Sequence, residues 1–135
     1  MAITQDAGRQ YPLVAKVDFT YADLGTAVTT TSIIEALKLP PGAIVTGGYL
    51  NITTAWVGPT AATVSVGDGG SAARYLGDTN IKSTGRTALV PTGYTYTAAD
   101  AIDLDLAQSV AVSTAGVGEL VVEYIVDGRA NDVQA

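Results

Sequence analysis

The side chains of this chain that could do chemistry are mainly carboxylates, and the densest group of them is Asp100, Asp103 and Asp105. Asp103 and Asp105 are two residues apart in an alternating sequence, so in a β-strand both point to one face, about 7 Å apart. Such a pair could bind a hard cation such as Ca²⁺ or serve as the two carboxylates of a glycosidase. Because no ligand-rich loop adjoins them, we interpret them instead as the solvated side of an amphipathic strand.

The composition excludes most other catalytic and metal sites. The chain has no His and no Cys, which rules out Ser/His/Asp and Cys/His nucleophilic sites and zinc sites built from these residues. GDGG at 67–70 and GDTN at 77–80 lack the ligand spacing of a calcium loop and the motif of a phosphate loop, and such pairs are typical of turns. We therefore predict no catalytic, cofactor-binding or metal-binding residues, and no enzymatic activity.

The elements that must position these residues are short strands separated by Pro and Gly turns. Apolar and polar residues alternate with a period of two, which is typical of half-buried strands. The clearest strand segments lie at 13–21, 43–57, 64–66, 94–97, 102–106, 110–112 and 120–126. About eight short strands, with no amphipathic helix and no β-α-β alternation, predict an all-β fold, namely an antiparallel β-sandwich of jelly-roll type.

Two segments of this pattern need a closer argument. In residues 26–39, Ser32 and Glu35 have the spacing of a helix capping box, whereas the β-branched cluster before them favours an extended backbone. Pro40–Pro41 ends this segment abruptly, and we predict a strand. Gly47–Gly48 interrupts the long segment 43–57, which predicts a bulge or a bend at that point.

The two ends of the chain differ from its centre. Residues 1–11 and 127–135 are polar, and residues 12–126 carry the strand pattern, so we predict one β-sandwich domain with an N-terminal and a C-terminal arm. The arms are either frayed ends or segments that order only against a neighbouring subunit, gaining contact area on binding. On the second interpretation we expect partner-binding residues in the arms: Gln5, Arg9, Tyr11, Arg129 and Val133.

The aromatic residues offer a further binding surface. Tyr94 and Tyr96 share one face of their predicted strand, and we expect them to form an exposed or interfacial patch that binds a partner. A pair of this kind could also serve as the platform of a carbohydrate-binding module. Trp56, by contrast, shares the parity of Leu50 and Ile52, which predicts that it lies in the core.

Charge limits the choice of partner. The formal net charge is −6, and Lys and Arg form no cluster, so we do not expect nucleic-acid binding. Charged residues make up only 15% of the chain, so its surface carries few charges. A weakly charged surface suits a protein that is partly buried against partners. The N-terminus has no secretory signal pattern, and no apolar run approaches the roughly 18–20 residues of a membrane span. We expect no membrane binding, and we expect synthesis in the cytoplasm of the producing cell.

Four stretches together resemble small structural proteins of tailed bacteriophages. They are LPPGAIVTGG at 39–48, VSVGDGGSAARYL at 64–76, PTGYTYTAAD at 91–100 and ELVVEYIVDGRAN at 119–131. The resemblance covers most of the chain, from about Leu37 to Val133, and is one of overall pattern with no active residues to transfer.

This resemblance implies a virion component, most specifically a decoration (cement) protein on the capsid exterior. Proteins of that type bind the major capsid protein and commonly associate with their own copies as homotrimers. The alternatives are another virion position, such as a head fibre base, a head–tail connection or the tail, and the carbohydrate-binding module.

Overall fold

The computed structural model describes residues 12–23 and 31–127 of the chain. These residues form eight β-strands: β1 (Leu13–Thr20), β2 (Thr31–Leu39), β3 (Ala43–Val57), β4 (Ala61–Gly67), β5 (Leu76–Asn80), β6 (Gly85–Ala88), β7 (Asp100–Ser109) and β8 (Ala115–Val126). The predicted all-β class is confirmed. Within the described ranges there is no helix of the length and apolar character needed to cross a membrane.

The strands form two four-stranded antiparallel sheets, ordered β1-β8-β3-β6 and β2-β7-β4-β5. β1 pairs with β8, β2 with β7, β3 with β6 and β4 with β5. The first four strands therefore pair with the last four in reverse order, as in one long folded hairpin. The β3–β8 and β4–β7 pairings then join these strand pairs into the two sheets. This is the strand order of a jelly roll, so the predicted sandwich of jelly-roll type is confirmed.

The core lies between the two sheets and is built mainly from alternate residues of the inner strands β3, β4, β7 and β8. In β7, Ile102, Leu104 and Leu106 are fully buried, and the aspartates between them lie on the other face. Trp56 is buried as predicted, with its ring centroid 5.8 Å from that of Phe19. Burial of one face per strand explains why the period-two pattern was informative.

Sheet pairing resolves the two segments that needed a closer argument. Residues 31–39 form β2, which pairs along β7, so for these residues the strand prediction is confirmed and the alternative of a capped helix is wrong. Residues 26–30 of the same prediction lie outside the described residues. β3 is continuous, and its register against β8 shifts between Val45 and Gly47, which confirms the predicted bulge. In β2 the hydrogen bonds to β7 outweigh a weak local helix signal.

Two other strand predictions are wrong. Residues 94–97 make only an isolated bridge, between Thr95 and Ile44, and belong to the connection from β6 to β7. β7 ends at Ser109, and Val110 adopts a φ of 76°, so Val110 and Val112 lie in the turn before β8. In both segments apolar and polar residues alternate, although neither segment is a strand with one face toward the core.

Candidate partner-binding surfaces

Asp103 and Asp105 lie on the outer face of the sheet β2-β7-β4-β5, in the direction that the amphipathic pattern predicts. Asp103 is opposite Glu35 of β2. The Oδ1 atoms of both aspartates are shielded from solvent and accept no hydrogen bond from the described residues. Burial raises the pKa of both carboxyls, and it is raised further by Asp100 and Glu35 near Asp103 and by Asp78 near Asp105.

We call Glu35, Asp103 and Asp105 the acidic face. Within residues 12–23 and 31–127, no three such side chains are placed so that they could hold a metal ion together. The interpretation as a solvated strand face is right in direction but incomplete, because part of each aspartate is withdrawn from water. The concentration of negative charge favours contact with a basic surface of a partner.

A second cluster, centred on Asp68, joins the loop after β4 to the connection before β7. The Asp68 side chain is 1% exposed and accepts hydrogen bonds from Arg74, with Nε 2.5 Å from Oδ2 and Nη2 3.2 Å from Oδ1. The backbone N–H groups of Gly70 and Ser71 donate to Oδ1, both at 2.9 Å. The Tyr96 hydroxyl donates to Oδ2 at 2.7 Å.

The protonation states in this cluster follow from its geometry. Burial alone would raise the pKa of Asp68, but the hydrogen bonds from Arg74, Tyr96 and the loop backbone outweigh it and lower the pKa. For Tyr96, burial together with its hydroxyl contact to Tyr75 at 2.8 Å and its bond to Asp68 raises the pKa well above the usual range. The tyrosine stays a neutral donor, the aspartate stays ionised, and the two loops are held together.

The turn at 67–70 was predicted from the residues, whereas this role of Asp68 was not. The turn is confirmed by reciprocal backbone hydrogen bonds between Asp68 and Ser71. The only local sign of the cluster is the spacing of six residues between Asp68 and Arg74. In sequence, this spacing looks the same as that of an exposed Asp–Arg pair on a loop. The third member, Tyr96, comes from a distant part of the chain.

The structure separates the two tyrosines that were expected to form one patch. Tyr96 is 2% exposed, so the expectation that it is exposed is wrong. Tyr94 is 40% exposed, with its ring 5.0 Å from that of Tyr96 in an edge-to-face arrangement and the Arg74 guanidinium 3.7 Å from its centroid. The reason is that the segment is not a strand, so alternate residues do not share a face. A carbohydrate-binding platform made of both tyrosines would therefore have only Tyr94 available to stack on a sugar.

The remaining predicted partner-binding residues, Gln5, Arg9, Tyr11, Arg129 and Val133, lie outside the described residues. The strands nevertheless show where both arms attach. Leu13 pairs with Tyr124 and Val126 pairs with Ala43, so β1 begins and β8 ends at the same end of the sandwich. The N–H of Gly42 there donates to the carbonyl of Tyr96. We call this end, with the Asp68 cluster and Tyr94, the arm end.

A third surface, at the opposite end, was not found in the sequence. It consists of five apolar side chains that are between 37% and 72% exposed: Tyr21, Val57, Val110, Val112 and Val117. Backbone hydrogen bonds hold their segments together, from Thr114 N to the Val57 carbonyl at 2.8 Å and from Tyr21 N to the Gly116 carbonyl at 3.0 Å. We call this surface the valine tip.

Comparison with known proteins finds similar structures in phage capsids. No protein-family model matches the sequence, and no curated protein is significantly similar to it. A chain in the capsid asymmetric unit of cyanophage Pam1 is 26% identical, with a TM-score of 0.65 over 93% of this chain and 92% of that chain. The resemblance to phage virion structural proteins is confirmed.

Two further capsid structures show the same fold. A chain in the acidic stable capsid of Helicobacter pylori bacteriophage KHP30 is 19% identical, with a TM-score of 0.62 over 85% of this chain and 87% of that one. A chain in the capsid of Ralstonia phage GP4 is 15% identical, with a TM-score of 0.62 over 96% and 92%. These two structures show the fold alone, and the Pam1 chain supports a structural role and a virion location.

Proposed function

We propose that this chain is a decoration (cement) protein of a phage capsid, which binds the outer surface of the shell and stabilises it without catalysis. Its partners are the major capsid protein and further copies of itself, arranged as a homotrimer. The likeness in size supports this proposal, since a jelly roll of this length accounts for nearly all of one chain in the Pam1 capsid asymmetric unit.

The observation that carries the exterior placement is charge. The chain has a net charge of −6, and its acidic face places three carboxylates, Glu35, Asp103 and Asp105, on the outer side of the β2–β7 pair. A surface that faces packaged DNA would be repelled by the phosphates unless Lys and Arg offset them. An acidic protein without a basic cluster is suited to the side of the shell away from the genome.

The arm end is the proposed side of contact with the capsid. Both arms leave from this end, and Tyr94 stands there with the Arg74 guanidinium over its ring. Tyr is among the residue types that often carry a large part of the binding energy at protein interfaces. We propose Tyr94 and the arm residues Gln5, Arg9, Tyr11, Arg129 and Val133 as the contacts.

Binding of this kind stabilises the shell by mass action. A ligand that binds the assembled shell and not the separated subunits favours the assembled state by about 2.7 kcal/mol per site at a free concentration of about 100 times Kd. The chain therefore needs no reactive group, only a large contact surface.

The test is addition of the purified chain to capsids that lack decoration. We expect it to co-sediment at a copy number near that of the major capsid protein and to raise the melting temperature of the shell. Absence of co-sedimentation contradicts the proposal. Closed shells formed by the chain alone would make it the shell-forming subunit, and attachment only at the vertices or tail would favour one of the other virion positions.

A further inference from the structure

The valine tip is an apolar surface that the proposed capsid contact does not use. It surrounds the connection between β3 and β4 and the connection between β7 and β8, with Tyr21 from after β1 and Val117 from β8. A hydrogen bond from Thr60 N to the Ser109 carbonyl at 3.1 Å joins the two connections. Val57 and Val110 are its most exposed members. Clustered apolar surface of this kind usually marks an interaction site.

Val110 is held in this exposed position by a costly backbone conformation. Its φ of 76° lies in the left-handed region, and among the described residues it is the only one other than glycine with a positive φ. A β-branched residue there costs about 1–3 kcal/mol, and glycine or asparagine would adopt the same conformation more easily. Since an exposed valine brings no gain in folding, the side chain is better explained by a contact with another molecule.

The charge pattern indicates which molecule that is. No charged residue occurs at 53–67 or at 106–118, the segments that include both connections, although the chain carries a net charge of −6. A basic partner is attracted to the acidic face rather than to this neutral end. A second copy of the same chain is repelled at the acidic face but meets no like charge between the two connections of the tip.

The margins of the valine tip are complementary to each other. Asp23 follows β1, and Lys82 follows β5, and these two strands are edges on opposite sides of the sandwich. The Lys82 ammonium lies at the margin of the tip, 2.6 Å from the Pro59 carbonyl, to which it donates. Opposite charges on opposite margins suit copies that meet side by side around a symmetry axis.

We propose that the valine tip is the surface through which copies of this chain bind one another. This inference rests on the proposed function, because it names the contact of the homo-oligomer within it. It also assigns the two ends of the sandwich to different partners, with the arm end for the capsid and the valine tip for the neighbouring copy.

The test is analytical ultracentrifugation of the full chain at concentrations up to about 1 mM. We expect the wild-type chain to sediment as an oligomer, and Val110→Asp and Val57→Asp to sediment as monomers at the same concentrations. The matched control is Val90→Asp, since Val90 is 66% exposed but lies outside the tip, and this variant should keep the wild-type mass. A wild-type monomer at every concentration, or tip variants with the wild-type mass, would overturn the proposal.

A second variant guards against misfolding as the explanation. Val110→Gly removes the side chain and also relieves the strained backbone, so it should keep or raise the melting temperature of the chain while weakening association. Association of Val110→Gly at the wild-type strength would overturn the proposal.

The two proposals fail in different ways. If the chain associates through the valine tip but does not bind undecorated capsids, the decoration proposal fails and this one stands. If tip variants remain oligomeric and lose capsid binding, the tip contacts the shell and this proposal fails.

Discussion

The Tyr96 hydroxyl donates a hydrogen bond to Asp68 Oδ2 at 2.7 Å, across 28 residues of sequence. This bond ties the loop after β4 to the connection before β7. Both segments lie at the arm end, where we propose the capsid contact. Binding by a surface whose loops are already fixed costs less ordering entropy than binding by mobile loops. On that proposal, the Asp68 cluster fixes the two loops of the arm end before the capsid is bound.

The first prediction concerns Asp68 itself. Asp68→Asn should lower the free energy of unfolding by about 3 kcal/mol, because the buried donors of Arg74 and Tyr96 would lose their charged acceptor. Urea denaturation at pH 7 measures this effect. The control is Asp18→Asn, which removes an exposed carboxylate paired with Lys16 at 3.3 Å and should cost less than about 1 kcal/mol.

The pH dependence of the same variant follows from the lowered pKa of Asp68. A lowered pKa in the folded state contributes stability above the unfolded pKa of about 3.9, and this contribution is lost as the pH falls through the folded value. The advantage of the wild type over Asp68→Asn should therefore shrink below about pH 4. An advantage independent of pH would show that the ionised carboxylate is not what the cluster needs.

A second prediction has the opposite sign. Burial and the neighbouring Asp100 and Glu35 raise the pKa of Asp103, so its stabilising contribution is present below the unfolded pKa and lost as the pH rises through the folded one. Asp103→Asn should therefore stabilise the chain at pH 7, on the order of 1 kcal/mol, with no gain in acid. Urea denaturation at pH 7 and in acid measures the difference.

A control for that effect is Asp127→Asn, on the exposed turn after β8, which removes the same charge from an open site. It should not change stability by more than about 0.5 kcal/mol. If Asp103→Asn and Asp127→Asn behave alike, the effect comes from net charge and not from the environment of Asp103.

A third prediction distinguishes two adjacent glycines in β3. Gly48 has a φ of 136°, and a Cβ there would lie 2.1 Å from the Val121 carbonyl oxygen, whereas nothing lies within 4 Å of a Cβ at Gly47. Gly48→Ala should cost about 3 kcal/mol or more, and Gly47→Ala should be neutral or stabilising by up to about 1 kcal/mol. Thermal unfolding of both variants is the measurement, and equal melting temperatures would contradict it.

These glycines show how far the sequence could be interpreted. The pair predicted a bulge because glycine interrupts an otherwise apolar strand, and the register shift after Val45 confirms it. Which glycine is essential depends on the distance to Val121 of β8, and that contact spans more than seventy residues of sequence. Alternation likewise identified β1, β7 and β8, because the apolar face of each is less exposed than the opposite face.

The candidate surfaces were harder to predict for the same physical reason. Asp68 and Tyr96 look like ordinary turn and strand residues until the fold brings them together. Val57 and Val110 look like ordinary strand residues, because an apolar side chain gives no local sign of whether tertiary structure will cover it. Tyr94 was predicted from its residue type and from a strand that does not exist, and its binding of a partner stays a prediction.

A fourth prediction separates the two tyrosines. Tyr94→Ala should weaken binding to undecorated capsids about tenfold or more with little change in melting temperature, because the ring is exposed and aromatic anchors dominate many interfaces. Tyr96→Phe should show the reverse, a loss of about 1 kcal/mol in stability from the missing donor to Asp68 and an unchanged affinity of the folded chain. Co-sedimentation with capsids and thermal unfolding measure the two properties independently. If Tyr94→Ala lowers stability but not affinity, the ring serves only to pack against Arg74, and its assignment to the capsid contact is wrong.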